Sequence, residues 1–187
     1  VSRSNGKRGQ RKGRVHFYSG SGLDLPDPYV SVDGPKKGSR FGNVVVVVNS
    51  IDTDLVDDIA VGAEEANIGA KRTGMVRALS GSAPQDKIFD DSGAKKDRMG
   101  TSVAAAGDYD GDGRADLIVG SATADDSGLK NAGTVTVLSA NGQALMVAAD
   151  GDDDRQTGAL FGSAVARIGD IDDDGYDDYA VGAPGQD

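Results

Sequence analysis

The chain has 187 residues, of which 37% are hydrophobic and 5% aromatic, with no Trp and no Cys. It holds 28 Gly and 30 acidic residues, and only Glu64 and Glu65 among the acids are Glu. This Asp- and Gly-rich balance belongs to tight turns and excludes a helical bundle or coiled coil. The absence of Cys excludes disulfide scaffolds, Cys-based zinc sites and thiol nucleophiles. No apolar run approaches membrane-spanning length, so direct membrane insertion is not expected. The formal charge of −10 sets nucleic acid aside as a general partner and suits a divalent cation.

Residues 1–40 run against that charge, with nine Lys or Arg and three Asp. The chain opens on Val1 without Met or a signal peptide, so the natural N-terminus is expected upstream. Arg3, Lys7, Arg8, Arg11, Lys12 and Arg14 fall in a Gly-rich connection. This reads as an exposed loop, or as a contact for an anionic partner. GRVHFYSGSG from Gly13 alternates apolar and polar residues as a strand does, and a short apolar run over Pro28 to Val32 follows. His16, the only His, lies between Val15 and Phe17 and is expected to face away from the apolar side.

From Phe41 the chain reads FGNVVVVVNSIDTDLVDDIAVGAEE: an apolar strand, an Asp-rich turn and a second apolar strand. GMVRALSGSA from Gly74 and Lys87 to Phe89 add two more strands. The same order returns from Met99 as MGTSVAAAGDYDGDGRADLIVGSAT, then as GTVTVLSANG from Gly133 and Ala144 to Ala149. Asp150, Asp152, Asp153 and Asp154 form an acidic run with Arg155 where a calcium loop wants Gly, and read as a solvated loop. The pattern opens once more from Phe161 as FGSAVARIGDIDDDGYDDYAVGAPG. Each period of about 60 residues thus carries four short strands, the blade pattern of an all-β propeller. Phe41, Met99 and Phe161 read as packing anchors whose following glycines permit close backbone approach. The phase predicts two strands, two full blades and two more strands, cut between strands two and three at about 1–60, 61–118 and 119–180.

Phe41-Gly42, Met99-Gly100 and Phe161-Gly162, with Gly62-Ala63, Gly120-Ser121 and Gly182-Ala183-Pro184, resemble the FG-GAP repeat of integrin alpha subunits. Only the third repeat has the complete signature. The resemblance implies a propeller, usually seven-bladed, with the Asp turns joining the first two strands of a blade. It implies that 1–187 is one segment of such a propeller.

The second and third turns fit D-x-D-x-D-G-x-x-D. Asp108, Asp110, Asp112 and Asp116, with the Arg114 carbonyl, form one candidate calcium set. Asp170, Asp172, Asp174 and Asp178, with the Tyr176 carbonyl, form the other. Alternate Asp residues supply hard oxygens, Gly at position 6 permits the sharp turn, and an all-oxygen cage of this size suits Ca²⁺. An EF-hand needs a Glu at position 12, where Val119 and Val181 stand. The family's nine-residue calcium hairpins use the positions named here. The first turn departs: Ser50 replaces the first Asp and Leu55 the Gly, leaving Asp52, Asp54 and Asp58.

These features predict a calcium-binding extracellular or cell-surface propeller segment acting as an adhesion scaffold. Its expected partners are a protein or glycan ligand and further blades, in cis or from another copy, with no enzymatic activity. The alternative is a piece of a secreted hydrolase. Its paired carboxylates are already accounted for by the turns, and absent Trp weakens sugar stacking.

Overall fold

The computed structural model describes residues 12–20, 27–151 and 156–186. The basic positions Arg3, Lys7, Arg8 and Arg11 and the acidic run Asp152, Asp153, Asp154 with Arg155 lie outside the described residues. The described elements are all strands: β1 (Arg14–Phe17), β2 (Val30–Asp33), β3 (Val44–Val48), β4 (Asp58–Gly62), β5 (Val76–Leu79), β6 (Lys87–Asp91), β7 (Ser102–Gly107), β8 (Asp116–Ser121), β9 (Thr134–Leu138), β10 (Ala144–Ala148), β11 (Ala164–Gly169) and β12 (Asp178–Gly182). They form antiparallel sheets of two, four, four and two strands: β1-β2, β3-β4-β5-β6, β7-β8-β9-β10 and β11-β12. This is the all-β, four-stranded blade architecture of a propeller.

The second strand of each full blade is buried on both faces, which is why it reads as a continuous apolar run. Val61 packs with Val15, Phe41, Met75 and Leu79 toward the β1-β2 sheet. Ala60, Val76 and Ala78 turn the other way and meet Met99, Leu117 and Val119 of the next blade. Ile118, Val135 and Val137 in turn pack against Phe161, Val165 and Val181. The core is therefore a series of sheet-on-sheet interfaces, and every residue of β8 is buried.

The Phe/Met-Gly pairs act as expected at these interfaces. Phe41 and Met99 are buried, and Phe161 is half-buried. Gly42, Gly100 and Gly162 each adopt positive φ. Their amides donate to the carbonyls of Gly62, Gly120 and Gly182 within the same sheet, at 3.0, 3.0 and 3.1 Å. The carbonyls of Gly100 and Gly162 face the preceding blade. Asn43 Nδ2 donates to Gly100 O at 3.2 Å, and Ser102 Oγ donates to Gly162 O at 2.7 Å. A Cβ on Gly62 would overlap Gly100 O, and one on Gly120 would overlap Gly162 O. The short strand expected from Pro28 starts instead at Val30. Pro28 has no N–H to give the ladder and stays outside it.

Replacing Gly120 by Ala forces a backbone shift between two blades. The expected cost is about 3 kcal/mol, as for overpacking in a tight core. For a domain of this size that is a fall in Tm of roughly 6–12 °C. Gly151, where a Cβ meets nothing within 4 Å, serves as the control: Gly151→Ala leaves Tm unchanged. Equal melting of both variants and the parent contradicts the close-approach account.

Candidate metal centre

Each Asp turn links the first two strands of its sheet: residues 50–58 join β3 to β4, 108–116 join β7 to β8, and 170–178 join β11 to β12. The short hairpin returns its last Asp to the start of the second strand, beneath the turn. Asp58 and Asp116 are fully buried there, and Asp178 is half-buried. That last carboxylate anchors the turn by accepting from its amides. Asp58 Oδ2 takes Ile51 N at 2.6 Å and Asp52 N at 3.2 Å. Asp116 Oδ2 takes Tyr109 N at 2.8 Å and Asp110 N at 3.4 Å. Asp178 Oδ2 takes Ile171 N at 2.9 Å.

The other Asp residues hold the loop by a repeated set of short-range bonds. Position 3 accepts from the amide of position 5 in all three turns: Asp54 N to Asp52 at 3.0 Å, Asp112 N to Asp110 at 3.1 Å and Asp174 N to Asp172 at 3.2 Å. Position 5 accepts from position 7: Val56 N to Asp54 at 2.9 Å, Arg114 N to Asp112 at 2.9 Å and Tyr176 N to Asp174 at 2.8 Å. Position 1 accepts from the Gly at position 6, as Gly113 N to Asp108 and Gly175 N to Asp170, both at 2.9 Å. These bonds fix the direction of each carboxylate while leaving further lone pairs free.

Three oxygens converge in every turn. Asp52, Asp54 and Asp58 each place a carboxylate oxygen within 4.8 Å of the others, as do Asp108, Asp110 and Asp116, and Asp170, Asp172 and Asp178. The fifth-position residues Asp112 and Asp174 lie outside these trios. Asp112 is gripped by the guanidinium of Arg114, with Nη2 at 2.6 Å and Nε at 3.1 Å. That bond holds the Asp112 carboxyl below the usual carboxylate range. The carboxylate of Asp174 is held only by the Tyr176 amide among the bonds described above.

The donors fit a hard divalent cation. All are oxygens, each trio carries three formal negative charges at close range, and Asp116 has a buried Oδ1 with no hydrogen-bond partner. Burial pushes the Asp116 carboxyl above its ordinary range, and the nearby Asp110 charge adds to this. The amides of Tyr109, Asp110 and Ala140 pull the other way. The Ala140 amide faces the carboxyl without closing a hydrogen bond to Oδ1. In the first blade the matching contact is closed, with Gly81 N donating to Asp58 Oδ1 at 2.8 Å.

The first turn is built with the strain its sequence implies. Leu55 sits at φ 63° and is 92% exposed. Ser50 Oγ donates to Asp52 O at 2.5 Å, so it does not take the role of the position-1 Asp. Sequence reasoning missed Ser82, whose hydroxyl donates to Asp54 Oδ2 at 2.5 Å and holds the Asp54 carboxyl below its usual range. Ser82 lies in the turn after β5, 28 residues away, and only the Ser-rich ending of that strand hinted at it. His16 is exposed, as expected, with Nδ1 2.8 Å from Ser31 Oγ. Asp33 on the same sheet face is taken by Arg14 Nε at 2.5 Å, which leaves no Ser-His-Asp relay there.

A group whose folded-state pKa is raised stabilises the fold below its unfolded pKa and loses that contribution as pH rises through the folded value. In chelator, Asp116 therefore favours the fold near pH 3.8 and below, and this is lost above it. Asp116→Asn keeps an acceptor for Tyr109 N and abolishes the titration. Melting curves in chelator should show the parent losing stability relative to this variant as pH rises from about 4 to 7. A constant difference across that range contradicts the burial argument.

Residues 99–138 match the family model described as the FG-GAP repeat. The chain is 35% identical over 162 residues to integrin alpha-4 of Xenopus laevis, covering 83% of this chain and 15% of that protein. It is 30% identical over 136 residues to integrin alpha-5 of Xenopus laevis, covering 64% of this chain and 12% of that protein. It is 32% identical over 146 residues to integrin alpha-V of Gallus gallus, covering 74% and 13%. The chain therefore carries an FG-GAP repeat at residues 99–138 and is similar to integrin alpha subunits over most of its own length, while spanning less than a sixth of theirs.

Proposed function

We propose that this chain is a calcium-stabilised segment of a larger extracellular β-propeller, displaying loops to a protein or glycan ligand in adhesion. The single observation that carries the reading is the convergence of three carboxylates in each of three equivalent hairpins. Adhesion and a cell-surface location are drawn from the likeness to integrin alpha subunits. No catalytic role is assigned. The remaining blades are proposed to fill the open edges of β1 and β12, which pair only with β2 and β11 among the described residues. They would come from the same chain or from another copy. The repeat phases of about 1–60, 61–118 and 119–180 are cut between strands two and three of a blade, so each phase runs from the second half of one blade into the first half of the next.

In this reading Asp108, Asp110 and Asp116 bind directly in the second turn, and Asp170, Asp172 and Asp178 in the third. Asp112 and Asp174, with the Arg114 and Tyr176 carbonyls, complete the two sets. Arg114 must release the Asp112 carboxylate for this, which is an exchange of one cation for another. A bound calcium ion supplies the positive charge that offsets the converged carboxylates. The protein's part is to hold the oxygens in place through the turn's own amides. The first turn offers three carboxylates and a strained Leu55, so it binds more weakly.

Calcium titration of the metal-free protein by calorimetry is expected to show two stronger sites and at most one weaker site. Asp110→Ala or Asp172→Ala each removes one strong site, and Asp54→Ala leaves both. At free calcium about 100-fold above Kd, each independent site stabilises the fold by roughly 2.7 kcal/mol. A melting temperature that EDTA does not lower sinks the calcium reading. Filling of the first turn ahead of the other two overturns the ranking.

A further inference from the structure

The loops at the end of the sheets opposite the Asp turns carry a set of Lys and Arg residues alongside Glu64, Glu65, Asp97, Asp125 and Asp126. There, β4 hands over to a loop carrying Lys71 and Arg72 before β5 begins. The loop entering β7 carries Lys95, Lys96 and Arg98, and the one entering β3 carries Lys36 and Lys37. Backbone bonds stitch neighbouring loops together: Lys96 N donates to Lys71 O at 3.1 Å and Arg98 N to Arg72 O at 3.2 Å. Two clefts result. One, of about 420 Å³, runs between Lys36, Asn67 and Lys71. The other, of about 370 Å³, runs from Lys71 and Arg72 past Lys96 and Arg98 to Asn131. Lys71 lines both, so the two adjoin there and together make a track.

The acids nearest the track are already engaged. Glu65 holds both Arg72, at 3.3 Å, and Arg98, at 3.1 Å, while Glu64 holds Arg40 at 2.7 Å. Asp97 is half-buried and accepts from Ala94 N at 2.7 Å; burial pushes its carboxyl up, and the nearby Asp125 charge adds to this. Asp125 accepts from Asn131 N at 3.0 Å. Lys36, Lys71 and Lys96 are exposed and have no carboxylate partner among the described residues.

We propose that this track binds an extended sulfated glycan. The inference rests on the ligand-displaying propeller reading above and names the ligand's class. A single compact anion needs one pocket, whereas here unpaired ammonium groups recur along two joined clefts over successive loops. A polymer with recurring anionic groups can meet several of them at once. Lysine suits sulfate groups of variable position because its charge is a mobile point and not a planar fork. The strongly acidic turns do not veto a polyanion. Strands of four to six residues separate the two ends by roughly 13–20 Å, beyond a Debye length of about 8 Å at physiological salt.

The test is binding of the calcium-loaded 187-residue protein to immobilised heparin, N- and O-desulfated heparin, and polyglutamate. Heparin binding should weaken steeply as salt rises, because each lysine contact releases a counterion from the polymer. The double variant Lys71→Glu/Lys96→Glu should lose about tenfold or more in affinity and show a shallower salt slope. Lys87→Glu, away from the track, should bind as the parent does. Unchanged heparin binding by the double variant overturns the proposal. So does a preference for polyglutamate, which assigns the track to an acidic protein segment, or equal binding to desulfated heparin. Calcium-dependent melting is measured on the same samples. If it persists without heparin binding, the glycan assignment alone fails; if it is absent, the metal reading fails independently.

Discussion

The close passage of one glycine backbone against another is the constraint on which this structure depends. The carbonyl of Gly100 lies against Gly62, and that of Gly162 against Gly120, with no room for a Cβ between them. Each carbonyl also receives a side-chain donor from the blade it approaches, Asn43 in one case and Ser102 in the other. A polar group brought this close to a neighbouring sheet would be costly if left unpaired. The donors remove that cost and make the contact directional. Met99 and Phe161, one residue before Gly100 and Gly162, add apolar bulk at the same junctions. The later glycine of one repeat and the Met-Gly or Phe-Gly pair of the next thus form two sides of a single joint, although about 40 residues separate them.

Fixing that joint also fixes the Asp turns. Each turn hangs between two strands that the joint locks in register, so its ends cannot separate. Neighbouring turns touch: Ala115 N in the second donates to Ser50 O in the first at 3.0 Å. The loops themselves need little tertiary help, because each carboxylate accepts an amide two to seven residues away. Local hydrogen bonds therefore set the direction of the ligands, and the sheet sets their depth. The buried last Asp is the point where the two influences meet. It belongs to the turn by its amide bonds and to the core by its position.

Much of this architecture was legible in the sequence because glycine and aspartate answer to local rules. The three gapless repeats gave the strand order, and the two-sided burial of β8 follows from LIVGS lacking any polar alternation. The carboxylate trios were legible for the same reason, as spacing within nine residues. What the spacing could not reveal was competition. Arg114 lies two residues from Asp112, yet nothing in the motif says that its guanidinium folds back onto that carboxylate. Ser82 reaches Asp54 only because the turn after β5 comes alongside the turn before β4. Both are side-chain choices made after the backbone is set, and pattern reading does not reach them.

The charge separation between the two ends of the sheets has the same origin. In an antiparallel blade, connections alternate between ends, so residues that follow the first strand never share an end with those that follow the second. The first connection is acidic in all three repeats, while the connections at the opposite end hold Lys71, Arg72, Lys96 and Arg98. A chain of net charge −10 can therefore display these cations away from the carboxylates of its Asp turns. Strand length enforces the separation, since each end lies outside most of the other's screened field. The Asp turns gather like charges at one end, and at the other Lys36, Lys71 and Lys96 have no carboxylate partner among the described residues. Were the two loop sets interleaved, these lysines would sit beside the converged carboxylates of the turns and could pair with them.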